Sequence, residues 1–364
     1  MTKGYLMLQT GEVFSGDWLG AMQDTTGELV FNTSMTGYQE MMTDPSYAGQ
    51  ILTFCYPMIG NYGINLQDVE SNHIAVSAVI MNDTCEEPSH YQSVATLSEK
   101  LEQAGVSGLT NVDTRALVAI IRKHKTVRAR IVSQQSSITT MSFWKQESTQ
   151  ELVKTVAVPE YEEFGTGDLH IVLLDFGYKK SILNELLEAE CKVTIVPFFT
   201  PFEEIVLLAP DGVLISNGPG DPKDLGAYFP TVKKLSETYP TLGICLGHQL
   251  LALAHGGKTK KMPYGHRGGN HPVKDLATGK VTITSQNHGY EVIEDSIPNE
   301  AFQLTFRNVN DNSVEGMKHT TLPILSVQFH PEAHPGPSDA AYIFQDFLHQ
   351  VVTRREQACQ GVHS

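Results

Sequence analysis

From residue 170 onward, apolar runs of strand length alternate with stretches of helical period, and this alternation restricts the fold more than any other feature of the chain. HIVLLDFG (170–177) is followed by YKKSILNELLEAE (178–190), then CKVTIVPF (191–198), and later by the apolar DGVLISNGPGDP (211–222). Strand, helix and strand in that order predict a parallel sheet covered by helices on both faces, because parallel neighbours require a crossover connection. Such sheets bind ligands at the carboxyl ends of their strands, so the loops after these runs are the first places to look for chemistry.

The first 150 residues read differently. Short apolar runs, YLML (5–8), ELVF (28–31), QILTF (50–54) and IAVSAVI (74–80), are separated by Gly, Asn, Asp and Pro turns, the pattern of a mostly β domain. Within it, NVDTRALVAIIRKHK (111–125) predicts a helix capped by Asp113, with Leu117, Ile120 and Ile121 on one face and Arg122, Lys123, His124 and Lys125 at its C-terminal end. The expected architecture is α/β: a mixed β/α domain over 1–150, a linker over 151–169 around PEYEEFGTGDLH, a doubly wound, mostly parallel sheet over 170–355, and a tail over 356–364. A length of 364 residues fits two such domains.

The charge balance, 26 basic against 41 acidic residues for a net −15, argues against a nucleic-acid backbone or an anionic membrane surface as the main partner. No apolar stretch reaches the about 20 residues that span a bilayer, and MTKGYLMLQTGEVFSG lacks the apolar segment of a signal peptide. A cytoplasmic protein is expected. The five cysteines, Cys55, Cys85, Cys191, Cys245 and Cys359, form no CxxC pair, so neither a disulfide framework nor a zinc knuckle is indicated.

One of those cysteines stands out. In TLGICLGHQLLALAHGG (241–257), strand character up to Ile244 gives way to a helix from Leu246 that stops at Gly256-Gly257. Gly243-Ile244-Cys245-Leu246-Gly247 is thus G-x-C-x-G on a strand-to-helix turn, the cysteine form of a nucleophile elbow. A helix N-terminus beside the sulfur favours the thiolate. The plain alternative, a buried small hydrophobe, is the commoner fate of a free cysteine, but flanking glycines and the polar His248-Gln249 pair count against it.

A thiolate requires a base and the base an orienting group. In ILSVQFHPEAHPG (324–336) an apolar strand ends at His330-Pro331-Glu332. Proline biases His330 toward extended geometry, and in an extended chain residues two apart point the same way, so Glu332 can reach the imidazole. His330 and His334 share i, i+4 spacing, yet Pro331 and Pro335 exclude the helix a zinc pair would need; no metal site is expected. Oxyanion donors would be the N–H of Leu246 and that of Gly220 in SNGPGDP (216–222). HGGKT (255–259) lacks the glycine of a phosphate loop at Ala252 and ends a helix, and GTGDLH (165–170) lacks the third glycine of a dinucleotide motif.

On these residues, 170–350 resembles the class I, triad-type glutamine amidotransferases, marked by the cysteine elbow and a terminal FHPE. GELVFNTSMTGYQEMMTDPSYAGQIL (27–52), NVDTRALVAIIR and LLDFGYKKSIL (173–183) are similar to the small, glutamine-hydrolysing chains of carbamoyl-phosphate synthetases, over essentially the whole sequence. The resemblance implies Cys245 as nucleophile, His330 as base and later acid, and Glu332 as its orienting group. It implies L-glutamine contacts from Ser46, Gly218, Gly220, Leu246, Gln249, Asn287, Gly289 and Tyr290, with Ser46 contributed by the first domain. Ser181 and Tyr290 depart from the usual asparagine and phenylalanine. No cofactor is expected on this chain; ATP and Mg belong with a large synthetase chain, the implied partner, which makes carbamoyl phosphate from the ammonia and bicarbonate for arginine or pyrimidine synthesis.

Three rivals share parts of this pattern. An amidotransferase serving GMP, CTP or anthranilate synthesis would carry the same triad but not the 27–52 block. A regulatory chain without catalysis should have lost Cys245, His330 or Glu332, and a cysteine peptidase would cleave casein.

Overall fold

A computed structural model describes residues 2–133, 144 and 148–361, the last four without their side chains. The chain divides into two compact units, Met1–Glu147 and Ser148–Ser364.

In the first unit, strands β1 (Lys3–Leu8), β2 (Val13–Gly20), β3 (Thr25–Asn32), β4 (Gln50–Phe54), β6 (Ala78–Ile80), β8 (Ser107–Thr110) and β9 (Val127–Val132) close into a barrel in the order β1-β2-β8-β6-β4-β3-β9. The short β5 (Met58–Ile59) and β7 (Asp83–Thr84) pair separately. Strand β4 is buried on both faces: Ile51 joins one apolar cluster with Leu6, Leu29 and Ile131, while its neighbour Leu52 joins another with Val30, Met42 and Leu101. Closure leaves no exposed sheet edge. The helix Thr114–His124 begins where Asp113 accepts a hydrogen bond from the Ala116 N–H at 2.9 Å, and its Leu117 and Ile121 pack into the first cluster.

In the second unit, β10 (Glu162–Phe164), β11 (His170–Asp175), β12 (Lys192–Pro197), β13 (Gly212–Ile215), β14 (Thr241–Ile244), β15 (Thr259–Asp275), β16 (Val281–Val292), β17 (Phe302–Asn308), β18 (Val314–His319) and β19 (Ile324–Val327) form one sheet. Its order is β10-β12-β11-β13-β14-β19-β18-β17-β15-β16. The run β12-β11-β13-β14-β19 is parallel, and the remaining pairings are antiparallel. The parallel part is doubly wound. Val172 and Leu174 of β11 face a cluster holding Leu250 and Leu251 of the helix Leu246–Ala254, and Ile171 and Leu173 face another holding Ile182 and Leu186 of Lys180–Glu188 and Phe347 of Tyr342–Gly361.

Two boundaries move from their sequence-based positions. Residues 151–169 are not a free linker: the helix Thr149–Val156 buries Leu152 and Val153, and β10 pairs with β12, so both are parts of the second unit. The last helix runs through to Gly361, past the expected start of a tail at 356.

Candidate active site

Four neighbouring parallel strands, β11, β13, β14 and β19, end on one side of the sheet, and the loop after each carries a residue of the site. Cys245 follows β14 and caps the helix Leu246–Ala254 with φ 53° and ψ −100°, a left-handed conformation for a residue with a side chain. The elbow needs glycine beside it: a Cβ on Gly247 would sit 2.2 Å from the carbonyl oxygen of Ile215. The Cys245 N–H is held by Val327 O at 2.8 Å, tying the turn to β19. The thiol, 2 % exposed, lies 3.7 Å from the Asn287 carbonyl oxygen and receives a contact from Gln328 Nε2 at 3.6 Å.

His330 follows β19. Its N–H is bonded to Ser285 O at 2.9 Å, and its Nδ1 stands 2.6 Å from Glu332 Oε1. Both side chains are buried. Burial by itself would lower the His330 pKa; the Glu332 carboxylate first, and then Cys245, reverse that and raise it to about 10. The ring's Nε2 has no nitrogen or oxygen partner among the described residues. Burial would likewise push the Glu332 carboxyl up, but Lys179 and His330 bring it down to about 2.

Lys179 is the residue that sequence reasoning passed over. It follows β11, is 2 % exposed, and places Nζ 3.1 Å from Glu332 Oε1 and 2.5 Å from the Ala333 carbonyl oxygen. A lysine at the start of an amphipathic helix reads as a solvated charge; only the fold brings it to a buried carboxylate far along the chain. Gln328 was missed as well. It lies two residues before His330, wholly buried, and accepts from Gln249 Nε2 at 2.9 Å while reaching the sulfur.

The other anticipated residues fall as follows. Gln249 also donates to the Tyr290 carbonyl at 2.9 Å. Asn287 reaches the cysteine through its carbonyl, and Gly289 lies between it and Tyr290 on β16. Gly218, in the loop after β13, is close enough to the helix Leu246–Ala254 that a Cβ would meet Leu246 Cδ2 at 2.8 Å. Gly220 has φ +91°, and a Cβ there would meet Thr149 Cγ2 at 2.4 Å. Thr149 Oγ1 accepts from the Asp221 N–H at 2.7 Å and donates to Asp224 at 2.8 Å, so the first residue of the helix Thr149–Val156 braces this loop. Ser46 belongs to the first unit, in the single turn Pro45–Tyr47, where its N–H donates to Asp44 Oδ1 at 2.9 Å. His248 is a core residue: its Nδ1 lies 2.9 Å from Ser326 Oγ, and burial lowers its pKa to about 3.

A buried thiol on a strained turn, an imidazole paired with a carboxylate, and backbone N–H groups at a helix start can together perform acyl transfer. Residues 172–350 match the family described as glutamine amidotransferase class-I, and residues 6–131 match the carbamoyl-phosphate synthase small chain, CPSase domain. The arginine-specific small chain of carbamoyl phosphate synthase from Bacillus subtilis (strain 168) is 48 % identical over 355 residues, covering 98 % of this chain and 99 % of that one. Its namesake from Halalkalibacterium halodurans is 48 % identical over 97 % of this chain and 98 % of that one. The carbamoyl phosphate synthase small chain of Lactococcus lactis subsp. cremoris (strain MG1363) is 46 % identical over 96 % and 98 %. The chain belongs to the carbamoyl phosphate synthase small chains, glutamine-hydrolysing subunits that carry a class I glutamine amidotransferase domain.

Proposed function

We propose that this chain hydrolyses L-glutamine through a thioester on Cys245 and delivers the ammonia to a large synthetase chain that makes carbamoyl phosphate from ATP and bicarbonate. The observation that carries the reading is the meeting of Cys245, at the end of β14, with the His330–Glu332 pair at the end of the adjacent β19. His330 holds the thiol proton, and the sulfur attacks the side-chain amide carbon of glutamine. A C–S bond forms, and the N–H groups of Leu246 and Gly220 receive the oxyanion. His330 then gives its proton to nitrogen as the C–N bond breaks, and ammonia leaves. Water, deprotonated by His330, attacks the thioester; the C–S bond breaks, releasing glutamate and restoring the thiol. Gly218, Gln249, Asn287, Gly289 and Tyr290 hold the substrate, a zwitterion better matched by backbone and amide groups than by an apolar pocket.

Two of the relatives above are named arginine-specific, which supports arginine synthesis as the destination of the product. With the large chain, ATP and bicarbonate present, Cys245→Ser is expected to lose glutamine-dependent carbamoyl phosphate synthesis by at least about a thousandfold. Synthesis from free ammonium should continue. Glutamine-dependent synthesis retained by the serine variant would overturn the mechanism.

A further inference from the structure

A second group of ionisable side chains lies away from the sulfur, on the antiparallel side of the same sheet. The register pairs His266 of β15 directly with His288 of β16, an arrangement that puts both side chains on one face. Glu315 of β18 joins them. Among the described residues, one ring nitrogen from each histidine and a carboxylate oxygen of Glu315 all lie within 4.8 Å of one another. All three are more than nine-tenths buried, and Glu315 is wholly so.

Each imidazole is oriented by a partner on its outer nitrogen. His288 Nδ1 lies 2.8 Å from the Tyr290 carbonyl oxygen, and His266 Nε2 lies 2.9 Å from Asp311 Oδ2. Both partners are acceptors, so a neutral ring that keeps its hydrogen on the outer nitrogen leaves the inner nitrogen's lone pair for a cation. The inner nitrogens, His266 Nδ1 and His288 Nε2, stand 2.8 and 3.0 Å from Gln286 Oε1. His266 Nδ1 is also 3.5 Å from Glu315 Oε1, and Glu315 Oε2 has no hydrogen-bond partner among the described residues. Two ring nitrogens, an amide oxygen and a buried carboxylate therefore converge on one small volume.

We propose that this volume is a binding site for a divalent first-row transition ion of the zinc type, held by His266 Nδ1, His288 Nε2, Glu315 and Gln286 Oε1. This departs from the sequence-based expectation of no metal. Two imidazoles with oxygen ligands suit zinc-like ions, whereas magnesium and calcium favour all-oxygen shells. The outer hydrogen bonds to Asp311 and Tyr290 are the second shell that such histidines require. An ion here would brace residues 286–290, whose Asn287 carbonyl faces Cys245; that consequence rests on the functional reading above, while ion binding does not.

The test is cobalt(II) titration of the full chain after chelator treatment, followed by visible d–d absorption. One equivalent should bind, without sulfur-to-cobalt charge transfer, and Cys245→Ser should bind equally. His288→Gln and Glu315→Gln should weaken binding at least about tenfold, and Asp311→Asn, which removes the carboxylate beside the outer nitrogen of His266, by about 10–100-fold. Asp311 is partly exposed, so this variant keeps the test open if a core substitution fails to fold. Absence of d–d absorption in the folded wild type would overturn the proposal and leave a proton on His266 as the occupant. Binding lost in Cys245→Ser, or unchanged in Asp311→Asn and Glu315→Gln, would overturn it too.

Discussion

Cys245 owes its position to a backbone conformation that few side chains adopt, and His330 owes its proton to a carboxylate that is itself held ionised by Lys179. That chain of dependence has a measurable consequence. Lysine is the first of the charges that lower the Glu332 pKa, so Lys179→Met should let Glu332 take up its proton at a higher pH. His330 would lose its charged partner at that point, and the acidic limb of the pH profile of glutaminase kcat/KM should move upward. An unmoved limb would show that Lys179 does not act through Glu332. At this scale the sequence was legible where partners are close along the chain: a glycine-flanked cysteine, and a histidine and glutamate two apart. Lys179 and Gln328 were not, because their significance depends on which strand ends are neighbours.

Among the elements, the helix Thr149–Val156 has the least expected task. Its first residue anchors the loop after β13 at both Asp221 and Asp224. Thr149→Val preserves shape but removes both hydrogen bonds of the hydroxyl, leaving polar groups of the loop unpartnered. A loss of about 1–3 kcal/mol is expected in urea unfolding, together with a raised KM for glutamine as the Gly218–Gly220 backbone loosens. A variant with wild-type KM would show that the loop is positioned by other contacts. The parallel strands and covering helices of 170–257 could be read from period and length, since strands buried on both faces appear as continuous apolar runs. The linker could not, because PEYEEFGTGDLH has the composition of an exposed turn while β10 takes its stability from pairing with β12. The barrel was hidden for a related reason: apolar runs identify strands, but closure depends on pairings such as β1 with β9, which lie far apart in sequence.

For the molecule as a whole, buried histidines of opposite tendency set the pH dependence of stability. Burial lowers the pKa of His248 to about 3 and of His271 to about 4, so the folded state loses stability as pH falls below the ordinary histidine value of about 6.5. His330 is raised, to about 10. Its contribution is fully present below about 6.5 and is lost as pH rises through that folded value. The urea midpoint of the full chain should therefore peak near neutrality and fall in both directions; a midpoint that climbed steadily to pH 10 would contradict the assignment of charged His330. No described helix is long and apolar enough to cross a membrane. The central claim is the covalent role of Cys245, and acid quenching of the enzyme during turnover of labelled glutamine, followed by peptide mapping, tests it most directly. The account predicts label on the peptide containing Cys245, absent from Cys245→Ser and released by hydroxylamine, which cleaves thioesters. Label on any other residue, or turnover by the serine variant at the wild-type rate, would contradict it.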